Sequence, residues 1–297
     1  MPQHVLITGG AGFIGSHVAR RLLRNGGENV RCTLDARLQR FTTESLSRQL
    51  ASLRSQNVRD GAVLVGENRT GEVLAYLGNA GATASAHFVD GITARRQAGS
   101  TLKPFLYGLA IEQRLLTGAS LLNDSPLDVP TETGLYTPKI YDREFRGLVS
   151  VRTALSSSLN VPAVRTLKLV GAETFVRGLA GFGFEDLREG EDYGFSVALG
   201  SADVTLYELV NAYRALANGG KWSELTLQPR GKKPSSKRSL AKEAAFIVSD
   251  ILSDRGARAA SFGLESPLST PYWSAVKTGT SKDMRDNWCV GYSEHYT

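Results

Sequence analysis

The stretch ARRQAGSTLKPFLYG, residues 94–108, decides how the rest of the chain is read. Ser100 and Lys103 stand three apart at the opening of an apolar run. A helix beginning there puts hydroxyl and amine on one face. Such a pair has chemical meaning because a serine becomes nucleophilic beside a group that can take its proton. Alone it is a weak signal. Ser239–Lys242 and Ser274–Lys277 repeat the spacing, and a serine at a helix start is commonly a cap.

Order along the chain sharpens the signal. Ser158-Leu159-Asn160 follows Ser100 and Lys103, and Lys277-Thr278-Gly279-Thr280 follows in turn. The other Ser-x-Asn, Ser55-Gln56-Asn57, precedes every Ser-x-x-Lys and cannot complete the series. The set therefore offers four hydroxyls, two amines and a carboxamide from three distant pieces of chain.

Around these motifs the pattern alternates between helix and strand signals. Asp35 reads as the N-cap of a long amphipathic helix. GAVLVGENRTGEVLAYLGN, residues 61–79, reads as an antiparallel hairpin turning at residues 67–71. Helices are predicted over 100–116, over 148–170 with a break at Pro162, over 205–218 with Gly219-Gly220 as the stop, and over 240–252. Residues 272–297 read as two strands around a turn. Strands at both ends with helices between predict an α+β domain whose antiparallel sheet is assembled from distant pieces.

Bulk properties narrow the class. The 297 residues, 41% of them hydrophobic and 22% charged, suit a folded domain with a sizeable core. The net charge of +6 suits an anionic surface but selects no partner, and no motif points to nucleic acid. The basic run RGKKPSSKR, residues 230–238, reads as a solvated loop. Cys32 and Cys289 offer no disulfide framework, and His4, His17, His87 and His295 show no ligand spacing, so no metal site is expected. No apolar run reaches 18 residues and no secretory signal is evident, so the chain as written is expected neither to span a membrane nor to export itself.

The opening HVLITGGAGFIGSHVARRLL, residues 4–23, is of another kind. A short apolar strand runs into Gly9, Gly12 and Gly15, a spacing that brings backbone N–H groups to a pyrophosphate. It resembles the first strand and helix of the extended short-chain dehydrogenase/epimerase family, which makes those glycines weak cofactor-binding candidates. That resemblance implies a Tyr with Lys four residues later, and none of the ten tyrosines has one. Residues 1–27 are therefore expected to be a Rossmann-like stub without chemistry, and no cofactor is expected.

The three motifs in order are the signature set of serine acyl-transferring enzymes that interact with penicillin. VRCTLDARLQ, GAVLVGENRTGEVLAYLGN, RRQAGSTLKPF, SVRTALSSSLNVPAV, LGSADVTLYELVNAYRALANGG and VKTGTSKDMRDNWCVGY extend the likeness. Residues 30–297 resemble the transpeptidase domain of the class A penicillin-binding proteins, most nearly their 1C type. The resemblance implies a penicillin-binding transpeptidase fold, with an antiparallel sheet flanked by helices, and a chain that stops before the fifth strand of that sheet. It implies a peptidoglycan D,D-transpeptidase acting on stem peptides ending in D-Ala-D-Ala, with β-lactams as inhibitors. Ser100 would be the nucleophile, Lys103 the base, Ser158 a proton relay and Asn160 a holder of the substrate amide. Lys277 would lower the pKa of Lys103, Thr278 and Thr280 would meet the substrate carboxylate, and Gly279 would let the substrate strand lie close. It also implies work at the periplasmic face of the inner membrane, anchored beside a glycosyltransferase module that this chain is expected to lack. A class A β-lactamase shares the motifs but needs a glutamate for deacylation, and no Glu-x-x-x-Asn lies between the second and third motifs.

Overall fold

Asp35 does what an N-cap does. Its carboxylate accepts from Arg37 N and Leu38 N, both at 2.8 Å, and starts helix α1, Ala36–Leu53. The computed structural model describes residues 31–81, 84–131, 134–138, 144–229 and 234–297. The glycine loop with Gly9, Gly12 and Gly15 lies outside the described residues, as do the first four residues of the basic run 230–238. The chain divides into two compact units, one of residues 1–94, 205–207 and 225–234, the other of residues 95–204, 208–224 and 235–297.

In the first unit, β1 (Val63–Gly66) and β2 (Val73–Leu77) form the expected hairpin, pairing Val63 with Leu77 and Leu64 with Tyr76. The Gln39 side chain on α1 imitates a further strand. Its amide accepts from Tyr76 N at 2.9 Å and donates to Tyr76 O at 3.0 Å. Thr226 bridges in parallel to Glu72 and accepts from Val73 N at 2.8 Å.

The second unit is built around α2, Lys103–Glu112, which is buried on every side from Lys103 to Ala110. Phe105 stacks at its centre against Phe182, Phe184 and Tyr213. An all-round apolar helix is stable only when wrapped. Packed against it are α3 (Val151–Ser156), α4 (Asn160–Val170), α5 (Ala172–Gly181), α7 (Leu206–Ala217) and α8 (Lys242–Ser253), while the short α6 (Gly190–Tyr193) packs on α5 and α9 (Arg255–Phe262) on α3. The described strands of this unit pair antiparallel in twos. They are β3 (Arg96–Gln97) with β8 (Asp203–Val204), β4 (Leu121–Asp124) with β7 (Gly147–Ser150), and β5 (Val129–Thr131) with β6 (Gly134–Tyr136). The others are β9 (Lys221–Trp222) with β10 (Lys237–Arg238), and β11 (Ala275–Thr280) with β12 (Asn287–Tyr292). Lys237 and Arg238, read from sequence as loop, thus form a short strand.

Two expected boundaries move, for identifiable reasons. Helix α2 begins at Lys103 rather than Ser100, and Ser100 sits in a 3₁₀ turn, Gly99–Leu102. An α-turn would need the Pro104 N–H to reach Ser100 O, and proline has none. Lys103 N donates there instead, closing the tighter ring. The break in 148–170 falls at residues 157–159, with a strand up to Ser150, and not at Pro162. Pro162 lies in the first turn of α4, where no N–H is required. Ser158 makes the break, with a left-handed φ of 59°.

Candidate active site

The turn bearing Ser100 is gripped from several sides. Ala98 N donates to Ala202 O and Gly99 N to Gly200 O, both at 3.0 Å. Tyr213 Oη donates to Thr101 O at 2.7 Å, and Trp288 Nε1 to Gln97 O at 2.9 Å. Gly99 has φ of 56°, and a β-carbon there would come 2.5 Å from Thr280 O. Gly279 has a related role: its β-carbon would fall 2.7 Å from both Ala98 O and Thr101 Cγ2. Glycine at 279 therefore seats β11 against the turn that carries Ser100, a reason different from the substrate clearance expected from sequence.

Lys103 projects from the first turn of α2 and is wholly buried. Its Nζ donates to Ser158 O at 2.6 Å, Leu159 O at 3.1 Å and Asn160 Oδ1 at 2.7 Å. Three acceptors fit the three N–H bonds of an ammonium. Burial first, and then the Lys277 charge, push its pKa well below the usual lysine value, while Asp124 pulls it up. The site thus holds a proton on Lys103 with good geometry but loose affinity. Lys277, on β11 and 3% exposed, donates to Ser158 Oγ at 2.8 Å and Thr278 O at 2.7 Å. Burial pushes Lys277 down to about 7, with Cys289 opposing and Arg258 reinforcing the shift.

Ser158 is the hub. Its carbonyl accepts from one lysine and its hydroxyl from the other, and the left-handed backbone aims the two groups apart. Ser100, Ser158, Asn160, Thr278, Gly279 and Thr280 line one cavity of about 200 Å³. Every residue singled out in the three motifs is therefore in this cavity or hydrogen-bonded to its wall. The rival spacings are occupied otherwise. Ser239 Oγ donates to Gly181 O at 2.6 Å, and Ser274 Oγ shares a 2.7 Å bond with Thr270 Oγ1. Asn57 ends the 3₁₀ turn after α1.

Sequence reasoning missed several wall residues. Asp124, Glu144, Ser157, Ser261 and Phe262 share the cavity, and Gly200 lies against Gly99 of the turn that carries Ser100. Among the described residues there is no metal-holding cluster of His, Cys, Asp and Glu.

Ser100 thus shares a cavity with Ser158, to which both buried lysines are hydrogen-bonded, ahead of a buried helix and against a short strand. The model of the penicillin-binding protein transpeptidase domain matches residues 61–296, and the chain belongs to that family. Penicillin-binding protein 1C of Escherichia coli (strain K12) is 34% identical over 277 residues, covering 92% of this chain and 34% of that protein. Penicillin-binding protein 1F of Bacillus subtilis (strain 168) is 29% identical over 291 residues, covering 93% of this chain and 39% of that one. The chain thus spans between a third and two fifths of the length of these relatives. Among solved structures, the penicillin-binding protein PonA1 from Mycobacterium tuberculosis shares the fold at a TM-score of 0.77 and 22% identity, over 97% of this chain and 81% of that one. Penicillin-binding protein 1A from Haemophilus influenzae does so at a TM-score of 0.68 and 22% identity, over 80% of this chain and 42% of that one. The NAD dependent epimerase/dehydratase family model also matches, over residues 5–81. Its last part overlaps the first match, and there the described backbone is the antiparallel β1–β2 hairpin.

Proposed function

We propose that this chain is a D,D-transpeptidase module that cross-links peptidoglycan stem peptides ending in D-Ala-D-Ala, and that β-lactams acylate it at the same serine. The observation that carries the reading is that Ser158, bonded through its carbonyl to Lys103 and through its hydroxyl to Lys277, shares one cavity with Ser100.

In this reading Lys103 gives up its loosely held proton to solvent before substrate seals the cavity, and its freed lone pair takes the Ser100 proton. Ser100 Oγ bonds to the carbonyl carbon of the penultimate D-Ala. Backbone N–H groups of Ser100 and Thr280 receive the oxyanion, and losing one such donor costs about 2.7–4 kcal/mol of barrier. Collapse breaks the peptide bond, and the leaving D-Ala amine takes a proton from Lys103 through Ser158. An acceptor amine then attacks the ester, passes its extra proton back along the same path and restores the Ser100 hydroxyl. Asn160 holds the donor amide, and Thr278 and Thr280 the terminal carboxylate. The resemblance to the class A proteins supports placing this chemistry at the periplasmic face, beside a glycosyltransferase. No described helix is long and apolar enough to cross a membrane.

The test is a gel with fluorescent penicillin on the full chain and on Ser100→Ala, with mass spectrometry to locate the adduct. Label on Ser100, lost in the alanine variant, is expected. An adduct on Ser239 or Ser274 would overturn the assignment.

A further inference from the structure

Asp124 ends β4, where Leu122 and Asp124 point inward and Leu121 and Asn123 point outward. An aspartate at an inward strand position is unusual and needs a reason. Asp124 is 2% exposed, yet it lines the cavity that holds Ser100, Ser158 and Asn160. Its Oδ2 accepts from Arg146 N at 3.1 Å, which fixes the carboxylate's orientation. No ion pair neutralises it among the described residues. A buried carboxylate without a cation nearby is strongly unfavourable, and the buried cation it acts on is Lys103. Tyr107, one turn beyond Lys103 on the same face of α2, feels the same carboxylate. The Tyr107 hydroxyl is buried and meets no hydrogen-bond partner among the described residues.

We propose that Asp124 is a positioning residue of the transpeptidase site, a buried counter-charge set in the cavity wall beside Ser158 and Asn160, the residues that hold the Lys103 amine, and acting on Ser100 through that lysine. The proposal rests on the reading of Ser100 and Lys103 given above. Lys103 donates to Ser158 O, Leu159 O and Asn160 Oδ1 at the start of α4, and the charges that act on it are Lys277 from β11 and Asp124 from β4. Arg146, beyond Asp124, turns its guanidinium to Ser157 and Ser261 of the same cavity wall. Glu144 lines the same cavity. Burial and Lys277 both drive the amine toward neutrality, and Asp124 is the charge that opposes them. A base driven too far below the working pH is always free but abstracts protons poorly. Asp124 does not act appreciably on Lys277, whose charged neighbours are Cys289 and Arg258. The effect is therefore specific to one lysine.

The experiment measures the second-order rate of Ser100 acylation by fluorescent penicillin against pH, in the full chain and in Asp124→Asn. Asparagine keeps an acceptor for Arg146 N and removes only the charge. The expected result is an acidic limb moved to lower pH and a plateau rate reduced about tenfold. Asp124→Ser is measured in parallel, and whichever variant melts cooperatively decides. An acidic limb and plateau unchanged from the parent in a folded variant would overturn the proposal. A parent chain that takes no label on Ser100 would instead sink the transpeptidase reading itself, so the two failures are distinguishable.

Discussion

Gly99 and Gly200 meet backbone to backbone: Gly99 N donates to Gly200 O at 3.0 Å, and a β-carbon on Gly200 would lie 1.8 Å from Gly99 O. Gly200 also holds φ at 79°, a region that costs an L-residue about 1–2 kcal/mol. Gly200→Ala is therefore expected to push Gly99 and the adjoining Ser100 out of place. Stability should fall by about 2–4 kcal/mol, the left-handed strain plus the cost of overpacking. Acylation by fluorescent penicillin should fall even where the variant remains folded. A melting curve and labelling rate equal to the parent's would show that the glycine contact is dispensable.

Ser158 separates strain from chemistry. Replacing it by glycine relieves the left-handed backbone while removing the hydroxyl that Lys277 contacts. Ser158→Gly should retain the parent's thermal stability to within about 1 kcal/mol. Its acylation rate should drop about 10²–10⁴-fold, the usual worth of a proton-transfer group. Ser158→Ala should lose the same activity and some stability as well. Stopped-flow acylation beside calorimetry checks both halves.

The titration of Lys277 has a definite sign. Its folded pKa is about 7 against 10.5 for the free side chain. Between those values the unfolded chain binds a proton that the folded chain does not, so this lysine makes stability rise with pH in that window. The penalty is fully present below about pH 7 and is relieved toward 10.5. The slope approaches about 1.4 kcal/mol per pH unit for one proton. Lys277→Met should flatten the stability profile by that amount between neutral and alkaline pH. Denaturant unfolding of both chains across the window measures it, and parallel profiles would refute the burial argument.

Asp35 tests the first unit alone. Its carboxylate caps α1 through two backbone N–H groups. Asp35→Ala should cost about 0.5–2 kcal/mol, and Asp35→Ser should restore most of that. Thermal melts of the three chains decide it.

Much of this was readable from the sequence because the signals were local or ordered. The cap at Asp35, the hairpin of β1 and β2 and the glycine stop after α7 follow from neighbouring residues. The motif order named Ser100, Ser158, Asn160 and Thr278 to Thr280, which share a cavity wall, and Lys103 and Lys277, which are hydrogen-bonded to it. What stayed hidden depends on contacts distant in sequence. Gly200 looks like any helix-terminating glycine until Gly99 lies against it. Pro162 looks like a helix breaker until Ser158 takes the left-handed turn first. Asp124 carries no spacing signal, because only the strand pairing turns it inward to the cavity. Helices α5 and α9 were missed because short amphipathic runs look alike whether or not a core covers them.

The chain Lys103–Ser158–Lys277 joins residues 55 and 119 positions apart. Contacts so remote in sequence close late, since the entropy of ordering the intervening loops must be met before any of them is gained. Residues 100–103 alone form an ordinary turn, and the reactive centre exists only after β11 has docked. If Ser100 is the acylated serine, as proposed, a nascent or partly unfolded chain would carry it unreactive, and covalent labelling by penicillin would count molecules whose folding is complete.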